Sequence, residues 1–280
     1  MKRLIHFTIL LIVFVGFTGQ LPGQNNVDTD IFKNMMYRNL GPHRAGAWVG
    51  DIAAPENPGP NNRYTFYVAA RNGGVWKTIN NGTTFFPIFD NYGTNAIGSV
   101  EVAPSDPDVV WVGTGEDSYA RSCYAGNGIY KSTNGGQTFK NMGLKDSQHI
   151  GRIVIHPTDP DIVYAAVMGN LFSKNEERGV FKTTDGGQTW EKVLFISEKV
   201  GVVDLVMNFK DPDILYAAAY DKVRLPWHLE AGGEGSGIYQ TRDAGKNWRI
   251  LTNGLPSGKI GASGRFPEMS SQVSPKFSVR

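Results

Sequence analysis

The chain has 280 residues, of which 40% are apolar and 11% aromatic, with 34 glycines and a formal net charge of +2. That is enough apolar material for one large core or two small ones, and the glycine and aromatic content leans towards an all-β protein with tight turns. The near-neutral balance excludes charge-driven binding to nucleic acid or an anionic membrane, and the one cysteine, Cys123, excludes an internal disulfide.

The first element is a leader. Lys2 and Arg3 precede an apolar run from Leu4 to Phe17, and a polar stretch follows. A run of about 14 residues is short for a bilayer span and fits a secretory signal peptide. Residues 1–23 are expected to be removed on export to the periplasm or the medium, with no membrane insertion afterwards. Residues 24–45 form a lead-in segment. Asp28 and Asp30 start like a calcium loop but lack its remaining ligands.

From residue 46 the chain repeats itself. KTINNGTTF at 77–85 is echoed by KSTNGGQTF at 131–139, KTTDGGQTW at 182–190 and QTRDAGKNW at 240–248. These copies recur roughly every 50–60 residues, the scale of a propeller blade. Asp-Pro-Asp recurs in the same rhythm at 106–108, 159–161 and 211–213. Alternating strands are expected before each, at 99–103, 152–156 and 202–207, and apolar strands after each, at 109–112, 162–166 and 214–218. One unit is then strand A, a turn, strand B, a variable loop, strand C, the glycine turn and strand D. Four short antiparallel strands per unit predict an all-β fold, a β-propeller with four blades over 46–258.

The repeated phrase is read as architecture. Asn80, Asn134, Asp185 and Asp243 can accept hydrogen bonds from the backbone of their own turn, and the glycine two residues later suits a positive φ. The closing aromatics Phe85, Phe139, Trp190 and Trp248 fill the space between blades, each burial contributing roughly 1.5–3 kcal/mol. Two of the four polar positions are Asn, which cannot act as a carboxylate, so a catalytic or calcium-binding role for the phrase is disfavoured.

The phrase is also the Asp-box, or BNR, repeat. From the stretch at 37–44 to Pro256, with Gly113 to Asp117, Glu177 to Val180 and Gly232 to Gly237, the chain resembles exported bacterial BNR proteins with a sortilin (VPS10) N-terminal-like propeller, often named glycosyl hydrolases. The resemblance implies a fold of more than four blades and a glycan or peptide ligand. It does not carry a catalytic set across. The Arg-Ile-Pro phrase of sialidases is absent, and Arg71 stands where xyloglucan hydrolases of this build have a catalytic Asp.

Blade geometry sends the A–B and C–D turns to one face and the variable B–C and D–A loops to the other, where a binding site is expected. The ligand-binding candidates there are Arg71, Tyr119, Arg121, Tyr124, His149, Asn170, Glu177, Arg178, Trp227 and His228. Carboxylates beside aromatic rings suit carbohydrate or peptide. Glu116 or Asp117 facing Glu230 is the pairing nominated for an inverting hydrolase, which needs two carboxylates about 6.5–9.5 Å apart. Ordinary loop salt bridges, Glu177–Arg178 and Asp117–Arg121, are the alternative. No cofactor is implied, and no His/Cys cluster has zinc spacing.

After residue 258 the blade pattern stops. Residues 259–280 read as an irregular, Ser/Pro-containing tail, so the ring is expected to be incomplete and the missing blades to belong to a longer parent chain. The functional expectation is an exported scaffold binding a peptide or glycan on its variable-loop face. Polysaccharide hydrolysis and a ligand-free structural propeller are the alternatives.

Overall fold

The structure is a computed structural model, and it describes residues 48–116, 123–225 and 227–255. The leader, the lead-in and the tail lie outside the described residues. Blade one is β1 (Val49–Ala53), β2 (Phe66–Ala70), β3 (Gly74–Thr78) and β4 (Phe86–Pro87). Blade two is β5 (Ile97–Ala103), β6 (Asp106–Thr114), β7 (Ile129–Ser132) and β8 (Lys140–Asn141). Blade three is β9 (Ile150–Ile155), β10 (Val163–Val167), β11 (Gly179–Thr183) and β12 (Glu191–Leu194). Blade four is β13 (Val200–Met207), β14 (Leu215–Arg224), β16 (Gly237–Thr241) and β17 (Arg249–Leu251), with β15 (Leu229–Ala231) paired to an extension of β14. Each blade is an antiparallel meander in chain order. The described residues thus form an all-β propeller arc of four blades, an incomplete ring.

Two details differ from expectation. In blade two the turn is Pro104–Ser105, and Asp106-Pro107-Asp108 opens β6 instead of forming the turn. In blade four the long excursion is a hairpin, because β14 runs on to Arg224 and pairs with β15 through Lys222–Ala231, Val223–Glu230 and Arg224–Leu229.

The innermost strands β1, β5, β9 and β13 lie beside one another at the hub. Each carries a bulge, at Gly50, Gly98, Gly151 and Val203. The glycines permit close approach: a Cβ on Gly98 would sit 2.0 Å from the Ile150 carbonyl oxygen, and one on Gly151 2.5 Å from that of Val203. Immediately after each bulge stands a polar residue in an equivalent register, Asp51, Ser99, Arg152 or Asp204, opposite Ala69, Gly113, Ala166 or Ala218. These four join up. Arg152 donates to Asp51 at 2.9 Å and to Asp204 at 3.0 Å, and Ser99 Oγ donates to the second Asp51 oxygen at 2.9 Å.

The Asp boxes do what their chemistry suggests. Asn80, Asn134, Asp185 and Asp243 each accept a backbone N–H four residues on, at 2.8–3.0 Å. The second box residue is left-handed in every copy, with φ of 54° at Asn81, 64° at Gly135, 70° at Gly186 and 57° at Ala244. In blades two to four its N–H donates to the carbonyl of Asp108, Asp161 or Asp213, which ties the C–D turn to the A–B turn on one face. The closing aromatics pack between blades, Phe139 between blades one and two, Trp190 between two and three, Trp248 between three and four.

A second device repeats across the blade interfaces. An aromatic on strand B faces a lysine directly across on strand C: Tyr67–Lys77, Trp111–Lys131, Tyr164–Lys182. The ammonium lies 5.2–5.4 Å from the ring centre in each. The lysine then reaches into the next blade, to Gly135 O at 2.7 Å, Asp161 at 2.9 Å or Ala244 O at 3.0 Å. Tyr67 and Tyr164 hydroxyls donate to the same two carbonyls. Polar tips thus lock onto the neighbouring turn while the rings stay buried.

Candidate functional site

The excursions after Gly113, Met168 and Tyr220 meet at one rim, opposite the Asp boxes. Gly126 N donates to Gln148 O at 2.7 Å, linking the blade-two excursion to the segment entering β9. Arg224 N donates to Leu171 O at 2.7 Å, linking the excursions of blades three and four, and Asn175 N donates to Glu198 O at 3.1 Å, tying the blade-three excursion to the segment entering β13.

Blade two closes its excursion at the base. Glu116 N donates to Tyr124 O at 2.9 Å, and Tyr124 N returns a bond to the Glu116 carboxylate at 3.3 Å. Glu116 is buried, whereas Tyr124 is 59% exposed. Asp117, Tyr119 and Arg121 lie outside the described residues.

Blade three folds its loop around one guanidinium. Arg178 is fully buried and donates to four backbone carbonyls, those of Asn170 and Ser173 in its own loop and of Lys199 and Lys222 in blade four. Among the described residues no ion pair joins Arg178 to Glu177, which corrects the expected salt bridge. Backbone oxygens from two blades take its place. Asn170 Oδ1 accepts from Phe172 N at 2.8 Å and its carbonyl receives Asn175 and Arg178, so the residue holds the loop. Phe172 points outward, 41% exposed. His149 is also fully buried. Burial first, then the charges of Lys222 and Arg178, push its imidazole down to about 4, so it is neutral at physiological pH.

Blade one offers little at the rim. Arg71 is half-buried, its guanidinium 5.7 Å from the Trp48 ring centre and its backbone hydrogen-bonded to Trp48 O and Ile97 N.

Blade four builds an exposed hairpin and a cleft. The β14–β15 hairpin carries Trp227 at its tip, 82% exposed, beside exposed His228. At its foot lies an open cleft of about 900 Å³, lined in part by Ser197, Lys199, Asp221, Glu230, Glu234 and Tyr239. Lys199 and Glu230 form an ion pair of 2.5 Å across it. The hydrogen bond from Lys199 holds the Glu230 carboxyl below its usual range, so it stays ionised. A general acid needs the opposite shift. The carboxyl pushed up, to about 8 by burial and then the Asp51 charge, is Glu101 on β5, opposite Trp111. Glu101 lies between blades, not in the cleft.

Sequence reasoning passed over Lys199, Glu234, Tyr239 and Glu101. Lys199 had a usable signal, since it sits in the D–A segment beside a nominated carboxylate's loop; Glu101 reads from the sequence as an ordinary strand residue.

Comparison with known proteins agrees with this architecture. The model of the sortilin (neurotensin receptor 3) Vps10 family matches residues 127–265. A xyloglucanase from Paenibacillus sp. is 27% identical over 195 residues, covering 63% of this chain and 18% of the relative. An ancestral GH74 enzyme superposes with a TM-score of 0.55 at 22% identity, covering 75% of this chain and 25% of that one. The Niastella koreensis GH74 enzyme gives 0.53 at 22% identity, over 75% and 31%. The GH74 xyloglucanase of Xanthomonas campestris gives 0.51 at 17% identity, with the same coverage. The chain therefore spans less than a third of the length of these relatives. Repeated boxes, meandering blades and these matches agree on a β-propeller fold, similar to that of the GH74 enzymes and matched in its second half by the sortilin Vps10 family model.

Proposed function

We infer that this chain is an exported propeller whose variable-loop rim binds a polysaccharide. The observation that carries the reading is the exposure of one aromatic ring on each of three consecutive excursions, Tyr124, Phe172 and Trp227, all on the face away from the Asp boxes. Flat rings open to solvent are costly to leave bare and suit the apolar faces of sugar rings. The carboxylates and lysine of the blade-four cleft supply hydroxyl-binding groups beside Trp227. Export rests on the charged and apolar leader at residues 2–17, and no helix among the described residues is long and apolar enough to cross a membrane.

Similarity to a xyloglucanase favours hydrolysis as the second reading. In that reading the ionised Glu230 acts as base, and the acid comes from Glu116 or Asp117. The test is a glycan and peptide array, with xyloglucan as the first probe, followed by reducing-sugar release from any glycan retained. Binding without release supports the scaffold. Release abolished by Glu230→Gln supports the hydrolase. Retention of peptides alone overturns both.

A further inference from the structure

One guanidinium ties the rim of blade three to that of blade four. Arg178 Nη2 donates to Asn170 O at 2.7 Å and to Ser173 O at 3.1 Å, two carbonyls that bracket Phe172. Asn175 Nδ2 donates to the same two carbonyls at 2.9 Å, so the turn that presents the ring is pinned twice. Nη1 of Arg178 crosses to blade four, where it donates to Lys199 O at 2.7 Å and Lys222 O at 2.9 Å. Lys199 O also accepts Lys222 N at 3.0 Å, so the guanidinium sits where β14 passes the start of β13.

Stability alone does not explain a guanidinium at this place. Arg178 is fully buried, and its Nε–H has no hydrogen-bond partner. Burial lowers it to about 10 while the charge of Asp221 opposes the fall, so it stays charged at neutral pH. Taking such a charge out of water is costly, and apolar side chains in place of buried charged groups often leave a fold as stable or more so. An apolar side chain would fill the space. It could not hold four carbonyls from two blades at fixed positions, as a rigid planar fork does. The loop has closed tightly on the Arg178 stem: a Cβ on Gly169 would lie 2.8 Å from Arg178 Cγ.

We propose that Arg178 is a positioning residue of the rim: it sets the Phe172 turn of blade three against the Lys199 wall of the blade-four cleft, so that one ligand meets ring and cleft together, a role that rests on the rim being a polysaccharide site. Each end of the bridge adjoins a group of that site. Phe172 lies between the two blade-three carbonyls and is exposed. Lys199, which supplies one blade-four carbonyl, pairs with Glu230 through its side chain, and Lys222, which supplies the other, follows Asp221 in the cleft lining. The ring and the cleft are therefore coupled through the guanidinium, and their contributions to affinity are not additive.

Two measurements on the full chain test this, with Arg178→Met and with Arg178→Lys, which keeps the charge and loses the fork. Hydrogen exchange needs no ligand. Either variant should speed exchange about tenfold at the amides of Phe172 and Asn175 in blade three and of Lys222 and Arg224 in blade four, and leave β9 and β10 unchanged. Titration calorimetry with xyloglucan oligosaccharides then compares each Arg178 background with and without Phe172→Ala. In the wild type Phe172→Ala should weaken binding about tenfold, and Arg178→Met should cost at least as much, after which Phe172→Ala adds nothing. Should Arg178→Met fail to fold, Arg178→Lys carries the comparison, with the effect of Phe172→Ala reduced to about threefold. Wild-type affinity in both Arg178 variants overturns the proposal, and so does an equal loss from Phe172→Ala in every background, because a residue that only stabilises the fold would lower the melting midpoint and leave these ratios alone. Faster exchange confined to blade three overturns it too. A wild type that binds no xyloglucan contradicts the polysaccharide site instead, and the exchange pattern still decides whether Arg178 couples the two loops.

Discussion

Arg152 Nη1 lies 2.9 Å from Asp51 Oδ1, although 101 residues separate them in the chain. The same guanidinium reaches Asp204 through Nε at 3.0 Å, so one side chain joins blades one, three and four. Ser99 completes the set from blade two, and its hydroxyl also accepts Ile153 N at 3.2 Å. All four residues occupy the position after the strand-A bulge. Arg152→Met leaves two half-buried carboxylates facing each other, and should cost about 2–3 kcal/mol of unfolding free energy. Arg152→Lys should recover part of that, since an ammonium lacks the fork that serves both partners. Urea unfolding of the three proteins measures both effects.

Glu101 makes stability depend on pH. Burial, and then the negative charge of Asp51, raise it from the ordinary 4.5 to about 8, with Glu56 adding to the rise and Arg152 opposing it. Folded chains therefore hold this proton where unfolded chains have lost it. The contribution is fully present below about pH 4.5, declines across pH 5–8 and is gone above. Glu101→Gln should flatten that decline and exceed the wild type in stability at pH 9. Chemical denaturation at several pH values reports the slope.

The Asp boxes bear on the acid side. Hydrogen bonds from the Asn247 side chain and backbone hold Asp243 down to about 2, and bonds from Thr189 lower Asp185 still further. Their contribution is present above the usual carboxylate range and lost only as pH falls towards these depressed values. Asp185→Asn should keep the turn, as Asn80 and Asn134 do, yet lose the carboxylate's contribution at pH 7, with the gap to the wild type closing as pH falls. Asp185→Ala should lower Tm at every pH. Differential scanning calorimetry of both variants decides.

Ala244 occupies a left-handed position, φ 57°, where two other boxes have glycine. Ala244→Gly should stabilise the protein by about 0.5–1 kcal/mol, since a Cβ is disfavoured there. An unchanged or lower midpoint in urea would show that the turn carries no such strain.

The blades were legible in the sequence because each is assembled from local signals, a strand pattern and a turn phrase within about 50 residues. The bulged glycines Gly98 and Gly151 were written there too, yet their reason is a neighbouring strand that approaches from another blade. Arg178 shows the limit of the approach. A charged loop residue reads as a rim contact, but its partners include the carbonyls of Lys199 and Lys222, whose position depends on how blade four packs. Glu101 is similar, since its raised affinity for a proton comes from Asp51 one blade earlier and from burial. The blade-four hairpin was hidden because Leu225 to His228 carries no glycine turn signal.

Titration calorimetry with xyloglucan oligosaccharides, on the wild type and on rim variants, tests the binding rim most directly. Trp227→Ala should weaken binding by about tenfold, near 1.4 kcal/mol, and combining it with Tyr124→Ala and Phe172→Ala should abolish it. Gln188→Ala, on the Asp-box face, should leave affinity unchanged. Equal affinity in the triple variant, or a loss caused by Gln188→Ala alone, would contradict a sugar-binding rim.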